Sequence, residues 1–564
     1  MALSEGFLPL TDIPAALHPR LGQLEQRLRE SLDEADGRAG RNAEEPPGEV
    51  WAALSQARRG ELARVLAVSN LVAESLIRFP GWLAYLDAEG ELDRAPEREQ
   101  YDRLLADALE RAADESQLHA ALRRFRRARM LGIVWRDLIR PQGVDMWQTA
   151  ASVSQLAESC LEGALGWLEA HFAPRWGRPA ATADGEAQRL VVLGMGKLGA
   201  GELNLSSDID LIFAYPEKGT TQGGKREYDH QEYFTRLGQK LIGALDAVTA
   251  EGFAFRVDMR LRPLGDGGPL VGSFAMLASY YQDQGREWER YAMLKARPVA
   301  GDIEAGRALL AELRPFVYRK YLDFGAIESL REMKSLINRE VRRKGMAGNI
   351  KLGPGGIREA EFVIQAFQLI RGGRDTELQV ASLKAALERL APLELLPQAV
   401  VDELTPDYAF LRDLEHVLQA LDDRQTQTLP DAADERERVA LGMSRGEVWF
   451  DDWPALIARL DEVRERIRGH FDAVIADPED DSETPATDAQ ADESTVPLDE
   501  WRALWRGELA ESETQALRET NQQVKKSADE QLKQAKKDAD EKMKKAVASA
   551  KKVESETQEV LKVA

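Results

Sequence analysis

The chain has 564 residues, of which 43% are hydrophobic and 30% are charged, and its formal net charge is −22, which together are typical of a folded, multidomain globular protein. The acidic balance argues against a general nucleic-acid-binding surface, because phosphate backbones repel a negatively charged protein. No apolar stretch reaches the roughly 18 to 20 residues that cross a bilayer, and the single cysteine permits no disulfide within the chain, so we expect a cytoplasmic protein.

Residues 1–115 are predicted to form a helical region. Apolar residues recur close to every 3.6 positions across 62–76, and Pro80 closes this run. The following segment, 122–139, places closely spaced arginines at 123–129 beside apolar residues. We interpret it as an amphipathic helix whose arginines pair with acidic side chains; the alternative is a surface that faces phosphate.

The next domain is predicted to cover residues 116–310, and from Arg189 short β-rich runs replace the helical pattern, which predicts an α/β core. The runs cover 190–193, 209–214 and 253–259, with a periodic helix at 228–248. Residues 311–476 return to long amphipathic helices and are predicted to form a helical bundle. Its helical patterns cover 326–344, 359–369, 408–421 and 453–475. The fold class is therefore predicted to be α+β.

The last part of the chain has a different composition. Residues 477–500 contain ten acidic residues, no basic residue and three prolines, which predicts a solvated linker. Residues 501–564 comprise a short helical segment and a tail rich in Lys, Ala and Glu. Alanine dominates the apolar stripe of the tail and buries little area, so we expect a solvated or partly disordered helix. A coiled-coil or surface-binding role is the alternative.

The segment from Gly194 to Phe213 is the most informative part of the sequence. It begins at the end of one predicted strand and finishes in another, with a glycine-rich turn between them. Glycines let backbone N–H groups approach a phosphate, and the hydroxyl of Ser206 or Ser207 adds a donor. The turn therefore predicts a phosphate-binding site.

Asp208 and Asp210 follow this turn. They are two residues apart on a predicted strand, so both side chains project to the same face. Two like charges held this close repel each other, and a divalent cation removes the repulsion. Mg²⁺ prefers a few hard carboxylate oxygens together with phosphate and water. We therefore predict that both aspartates bind Mg²⁺; the alternative, two solvent-facing acids on an edge strand, leaves the preceding turn unexplained.

A third carboxylate, Asp258, lies on the later β-rich run. Pairing of the two strands would bring it to the same metal ions. Three carboxylates at adjacent strand ends can hold two metals, one that activates the attacking oxygen and one that stabilises the leaving group. This pattern indicates phosphoryl or nucleotidyl transfer. Arg260 and Arg262 alternate to the face of Asp258 and are candidates for holding a phosphate, with pairing to surface acids as the alternative.

The Gly–Ser turn, the Asp-x-Asp pair and the later aspartate together resemble the nucleotidyltransferase superfamily typified by DNA polymerase beta. More narrowly, the sequence resembles the glutamine-synthetase adenylyltransferase family. The motifs that carry this resemblance are 196–199 continuing through 206–211, 257–263, 285–297 and 351–359. The resemblance covers roughly residues 1–513. It implies an α+β fold in which a polymerase-beta-like nucleotidyltransferase domain is flanked by an N-terminal helical region and a C-terminal helical bundle.

Members of this family carry two such modules, one that removes AMP from a tyrosine of glutamine synthetase and one that attaches it. The motif at 288–292 and Met259 beside Asp258 resemble the N-terminal, deadenylylating copy. The implied reaction is Mg²⁺-dependent phosphorolysis, in which inorganic phosphate attacks the adenylyl-tyrosine and releases ADP. Glutamine synthetase is then the protein substrate, and the PII nitrogen-signalling protein is the implied regulator. No nucleic acid or membrane is expected as a partner.

Carried over residue by residue, the resemblance implies three catalytic metal ligands, which are Asp208, Asp210 and Asp258. The candidate contacts to phosphate or nucleotide are Gly196, Lys197, Ser206, Ser207, Arg260 and Arg262. One alternative keeps the site but uses ATP to adenylylate a protein or a small molecule, because the chemistry alone does not set the direction. A second alternative is a non-catalytic module that senses nucleotide; the intact set of three aspartates argues against it, since an unpaired carboxylate cluster is costly to keep.

Overall fold

A computed structural model describes residues 6–42, 46–319, 348–446 and 448–475. The predicted helix at 326–344, the acidic linker and the tail lie outside these residues. Helices make up most of the described chain, and a small mixed sheet lies near its middle, which agrees with the predicted α+β class. None of the helices in the described ranges is long and apolar enough to pass through a membrane.

The described N-terminal part is helical, as its apolar periodicity predicts. Its helices are α1 (His18–Asn42), α2 (Pro47–Ala52), α3 (Gln56–Val68), α4 (Asn70–Arg78), α5 (Gly81–Ala88) and α6 (Arg98–Leu109). The continuous run predicted at 62–76 is divided at Ser69, whose hydroxyl oxygen accepts a hydrogen bond from the Val72 N–H and caps α4. The same hydroxyl donates to the carbonyl oxygen of Ala420 at 2.6 Å. The cap and this long-range bond together explain why one periodic run forms two helices.

The arginines of α7 (Glu115–Ile139) link this helix to other elements. Arg123 is buried and donates to the carbonyl oxygen of Ala244 at 2.8 Å, near the end of another helix. Arg126 forms two bonds of 2.8 and 3.1 Å to the carboxylate of Asp423. A buried guanidinium needs such partners, because an unpaired buried charge is costly. The segment is a helix, as predicted. Arg124, Arg126 and Arg129 pair with acidic side chains, as interpreted, whereas Arg123 binds backbone carbonyl oxygens instead.

The central sheet is built from strands that follow α8 (Met146–Trp176). These strands are β2 (Val191–Gly194), β3 (Ile209–Tyr215), β5 (Val257–Asp258), β6 (Val271–Ser273) and β7 (Arg297–Gly301). They form a five-stranded sheet in the order β5-β3-β2-β7, with β6 also on β3. β2 is antiparallel to β3 and β7, whereas β5 and β6 pair in parallel with successive parts of β3. A separate antiparallel pair joins β1 (Arg178–Pro179) to β4 (Thr221–Gln222).

The helices that surround the sheet are α9 (Gly196–Ala200), α10 (His230–Asp246), α11 (Phe274–Asp283), α12 (Glu287–Met293) and α13 (Ile303–Val317). Beyond them the described chain is again helical. The C-terminal helices are α14 (Ile357–Arg371), α15 (Leu383–Leu390), α16 (Gln398–Ala420), α17 (Ala433–Met443) and α18 (Trp453–Ile475). The described residues up to Ile475 belong to one compact unit.

The β-rich run predicted at 253–259 is a strand only at Val257 and Asp258. Before it, the backbone N–H groups of Ala254 and Phe255 donate to the carbonyl oxygen of Leu245 in α10, at 2.9 and 3.2 Å, so this part is tied to a helix end. After it, the chain turns at once. The prediction that Arg260 and Arg262 alternate to one face of a strand with Asp258 is therefore wrong, because the strand has already ended.

The packing of α9 against the sheet depends on Gly199. A Cβ atom added there would overlap the carbonyl oxygens of Lys295 and Gly194. Both are backbone atoms, so the clash is not relieved by a side-chain rotation. We predict that Gly199→Ala lowers the free energy of unfolding by about 1–3 kcal/mol or more, measured by chemical denaturation. Gly166→Ala in α8 is the matched control, because nothing lies within 4 Å of the added Cβ; equal stability of the two variants would contradict the close packing of α9.

Candidate active site

The three predicted aspartates meet where β3 begins. β3 and β5 pair in parallel with Ile209 opposite Val257 and Asp210 opposite Asp258. The Ile209 N–H also donates to the Arg256 carbonyl oxygen at 2.9 Å, which extends the pairing by one residue. Asp208 directly precedes β3. The sheet register therefore places the three carboxylates at one corner, as the strand-pairing hypothesis required.

The electrostatics of Asp210 follow from this arrangement. Burial raises its pKa, and the negative charges of Asp258 and Asp208 raise it further, to about 6. Lys351 acts in the opposite direction with a smaller effect. A carboxylate whose pKa rises beside other carboxylates lies where nearby cations do not fully offset the negative charge. Such a corner of hard oxygen ligands fits a divalent cation such as Mg²⁺.

The glycine-rich turn passes directly beside Asp210. The Met195 N–H donates to the Asp210 carbonyl oxygen at 2.9 Å. Gly196 has a φ of +51°, a conformation that side chains rarely adopt, and a Cβ there would lie 2.9 Å from the Oδ2 atom of Asp210. Glycine at this position leaves the space next to the carboxylate open. The structure thus brings Gly196 to the aspartates, as predicted.

Asp208 and Asp258 are each held by an arginine. The Nε of Arg256 donates to Oδ1 of Asp208 at 2.6 Å. The Arg260 guanidinium contacts both oxygens of Asp258, and its Nε lies 3.0 Å from Oδ1 and 2.8 Å from Oδ2. These hydrogen bonds to Arg260 lower the pKa of Asp258. The Arg260 side chain is 77% exposed, so this pair is a surface ion pair of small net stability and is easily opened.

The structure places the two predicted serines differently. Ser207 is half-buried, and its hydroxyl donates to the Asp208 carbonyl oxygen at 3.0 Å. Ser206 is buried and turns towards α16 and the turn that follows it. Its N–H donates to Oε1 of Gln419 at 2.7 Å, and its hydroxyl donates to the carbonyl oxygen of Asp423 at 3.2 Å. Ser206 is therefore committed to a structural contact.

Lys197 also contacts α16. Its Nζ lies 3.2 Å from a carboxylate oxygen of Glu415, which is fully buried. Burial lowers the pKa of Lys197 to about 8, while Glu415 acts against this shift. Arg262 bonds to the Met259 carbonyl oxygen at 2.7 Å. Of the predicted phosphate contacts, Gly196, Ser207 and Arg260 touch the aspartates, and Lys197, Ser206 and Arg262 make other contacts.

Sequence reasoning missed Arg256 and a buried ionic cluster behind the turn. In this cluster Lys295 pairs with Glu361 at 3.4 Å, and Tyr408 donates to the same carboxylate at 3.1 Å. Burial by itself would raise the pKa of Glu361, but Lys295 and neighbouring cations outweigh burial and lower the pKa to about 2. The available signal was position in the sequence, because Lys295 lies near the end of the motif at 285–297 and Glu361 lies two residues beyond the motif at 351–359. Nothing in the local pattern of a sequence marks such charges as buried.

Among the described residues, the tightest group of potential metal ligands is elsewhere. Asp137, Asp413 and His416 offer ligand atoms that all lie within 4.8 Å of one another. Arg445 lies 3.1 Å from Asp137 and 3.2 Å from Asp413, and Arg140 also pairs with both. Two guanidinium groups already balance the two carboxylates, so a cation has little to gain there. We interpret this group as a structural ion cluster.

Two family models match the chain. Residues 59–312 match the glutamate–ammonia ligase adenylyltransferase model, which includes the sheet and the three aspartates. Residues 331–475 match the PII-uridylyltransferase model, which includes α16. The boundary between the two matches falls outside the sheet, so the corner at Asp208 belongs to the first and its supporting helix to the second.

Several proteins that are similar to this chain carry the name bifunctional glutamine synthetase adenylyltransferase/adenylyl-removing enzyme. The relative from Pseudomonas aeruginosa is 51% identical over 489 residues, which is 87% of this chain and 48% of that protein. The relative from Hahella chejuensis is 49% identical over 474 residues, or 84% of this chain and 47% of that protein. The chain thus spans about half the length of the curated relatives it matches. Along most of its length the chain is similar to these bifunctional enzymes, and its residues 59–312 match the glutamate–ammonia ligase adenylyltransferase model.

Proposed function

We propose that the chain is a Mg²⁺-dependent nucleotidyltransferase that removes AMP from a tyrosine of glutamine synthetase. Inorganic phosphate would be the attacking group, and ADP and unmodified glutamine synthetase the products. The observation that carries this proposal is the parallel register of β3 with β5, which sets Asp210 opposite Asp258 and next to Asp208. The names of the relatives support the choice of glutamine synthetase as the substrate.

In the proposed reaction Asp208, Asp210 and Asp258 hold the metal. Bound Mg²⁺ would stabilise the transition state by balancing the negative charge on the attacking phosphate oxygen and on the departing tyrosine oxygen. A phosphate oxygen forms a new bond to the phosphorus of AMP, the bond from phosphorus to the tyrosine oxygen breaks, and the tyrosine takes up a proton. The open space beside Gly196 admits the phosphate groups close to the backbone.

Arg260 is suited to bind the attacking phosphate. Its guanidinium is exposed and pairs with Asp258. When Asp258 turns to a cation, Arg260 loses that partner and its planar fork is available for two phosphate oxygens. In this proposal the exposed Arg260 leaves the carboxylate of Asp258 and binds the attacking phosphate during the reaction.

We propose the PII signalling protein as the regulator and the cytoplasm as the compartment. The match of residues 331–475 to the PII-uridylyltransferase model supports a PII link. The one cysteine, Cys160, is buried in α8, and burial raises the pKa of its thiol to about 12, so it is a small apolar core residue. Nothing in this chemistry requires an oxidising compartment.

Asp210→Asn tests the site, since it removes a charge and keeps the shape. Groups that hydrogen-bond to a metal ligand already contribute about 10–100-fold to activity, so we expect the loss of a direct ligand to reduce ADP release at least about a hundredfold. Asp229→Asn is the matched control, because Asp229 caps α10 through a bond of 2.8 Å to the Gln231 N–H and Asn caps equally well. Full ADP release by Asp210→Asn would exclude this corner as the active site.

The direction of the reaction is tested with two assays on the same chain. The first supplies AMP-modified glutamine synthetase, Mg²⁺ and phosphate and follows ADP. The second supplies unmodified glutamine synthetase and ATP and follows AMP attachment. ADP in the first assay supports the proposal. Attachment only in the second would favour adenylylation, and nucleotide binding without either product would favour the sensing module.

Arg260→Gln tests the phosphate site. We expect the phosphate concentration for half-maximal ADP release to rise about tenfold, because a charge-assisted bidentate contact is lost. The KM for modified glutamine synthetase should stay unchanged. Arg307→Gln removes another exposed arginine, one that pairs with Glu304 on α13, and serves as the control. An unchanged phosphate requirement in Arg260→Gln would assign the phosphate to other groups.

A further inference from the structure

We infer that Arg256 is a positioning residue that fixes the orientation of Asp208 for metal binding. This inference rests on the proposed function of the three aspartates. Arg256 directly precedes β5 and lies two residues before Asp258 in the chain, but its side chain binds a different carboxylate, that of Asp208. It does not need to touch the nucleotide or the phosphate to act, because its contact is with the side chain of a proposed metal ligand.

The Arg256 guanidinium spans two groups on the turn before β3. Its Nε donates to Oδ1 of Asp208 at 2.6 Å, and its Nη2 donates to the hydroxyl of Ser206 at 3.2 Å. It also lies over the ring of Phe253, 5.0 Å from the centroid. The bond to Oδ1 leaves Oδ2 of Asp208 for a cation. The rigid fork of arginine can hold both partners at once, whereas a single ammonium cannot hold the same geometry.

Ser206 is itself anchored to the turn that follows α16. Its N–H and hydroxyl are bound by Gln419 and by the carbonyl oxygen of Asp423. Asp423 has a φ of +53°, an uncommon conformation for a residue with a side chain. Its carboxylate is held by both terminal nitrogens of Arg126 from α7. A chain of hydrogen bonds therefore connects Arg126 of α7 to Asp208. It passes through Asp423, Ser206 and Arg256.

Arg126 and Arg256 meet the same aromatic ring. Arg126 lies 5.1 Å from the centroid of Phe253, close to the 5.0 Å of Arg256. Arg256 is thus fixed by an ion pair, a hydrogen bond and a ring contact. Arg260 is more exposed, with 77% of its side chain accessible against 30% for Arg256. The two arginines of the site have different roles: Arg260 can leave its aspartate, and Arg256 stays.

The consequence concerns the side chain of Asp208. Asp208 precedes β3, so pairing of the strands fixes the backbone that follows it but not the rotation of its carboxylate. Without Arg256 that carboxylate would sample several rotamers, and a metal ion would have to select one. Arg256 holds the carboxylate in one rotamer before the metal binds, so metal binding does not have to oppose the loss of rotamer entropy. It raises metal affinity even though its own positive charge, taken alone, would oppose a cation.

The test compares Arg256→Gln and Arg256→Lys with the unchanged chain. Mn²⁺ binding is measured by titration calorimetry without substrate, and thermal unfolding is recorded beside it. We expect Arg256→Gln to weaken Mn²⁺ binding about tenfold, the range found when a partner of a metal ligand is removed. Arg256→Lys should remain weakened, because it keeps the charge but loses the fork. Where ADP release is measurable, its Mg²⁺ requirement should rise while the KM for modified glutamine synthetase stays constant.

Arg466→Gln is the matched control. Arg466 also binds an aspartate through Nε and Nη2, at 2.7 and 2.5 Å from Asp407, and its side chain is 34% exposed. Arg466 joins α18 to α16, because its partner Asp407 lies in α16, twelve residues before Gln419. We expect this variant to lose some thermal stability and to bind Mn²⁺ as the unchanged chain does. Equal weakening of Mn²⁺ binding in both variants would reduce Arg256 to a general structural role.

A double variant tests whether the hydrogen bond from Arg256 to Ser206 contributes to metal binding. If Ser206 acts through Arg256, the pair Ser206→Ala and Arg256→Gln should weaken Mn²⁺ binding no more than Arg256→Gln alone. Additive effects would overturn the route through Ser206, and tighter Mn²⁺ binding in Arg256→Gln would overturn the inference itself. Mn²⁺ binding by the unchanged chain without ADP release would instead count against the proposed function and leave the inference about Arg256 standing.

Discussion

The parallel pairing of β3 with β5 covers only two residues on each strand, and the candidate site depends on it. Asp210 and Asp258 are opposite one another because of this register, and a shift by one residue would send one of the two side chains to the other face. The register is held at its start by the bond from Ile209 to Arg256 and, before that, by the bonds from Ala254 and Phe255 to Leu245 of α10. The end of α10 therefore helps to set the position of a strand of the candidate site.

The aspartates could be predicted from the sequence because their signal is local. Asp208 and Asp210 are two apart beside a glycine-rich turn, and a later aspartate follows on a β-rich run. The contacts of Ser206 and Lys197 could not be predicted in the same way, since their partners Gln419 and Glu415 lie more than two hundred positions away. A polar residue beside a phosphate-type turn has the same local pattern whether it faces a ligand or a helix. The error on Arg260 and Arg262 had a different origin, since period-two alternation was extended past the end of the strand.

Although the net charge of the chain is negative, many arginine side chains are buried in its interior. Arg412 is fully buried in α16, where it donates to the Tyr408 hydroxyl at 2.8 Å and to the Glu202 carbonyl oxygen at 2.7 Å. Arg290 of α12 is also buried and donates to the carbonyl oxygens of Val317 and Leu369. Such groups add little net stability compared with apolar residues, but each allows only a few arrangements of its neighbours. Their benefit is a defined orientation of α12 and α16 around the sheet.

The two family matches meet in one structure rather than in two independent modules. The turn that carries Ser206 lies in the first matched segment, while Gln419, Glu415 and Asp423 lie in the second. The Ser206 N–H and the Lys197 ammonium both donate to side chains of α16, so within the described residues the first segment by itself would lack these partners for two buried polar groups. Helix α16, which lies in the segment that matches the PII-uridylyltransferase model, thus packs behind the turn that precedes the aspartates. A partner that moved α16 would act on these contacts of Ser206 and Lys197 without reaching the three aspartates themselves.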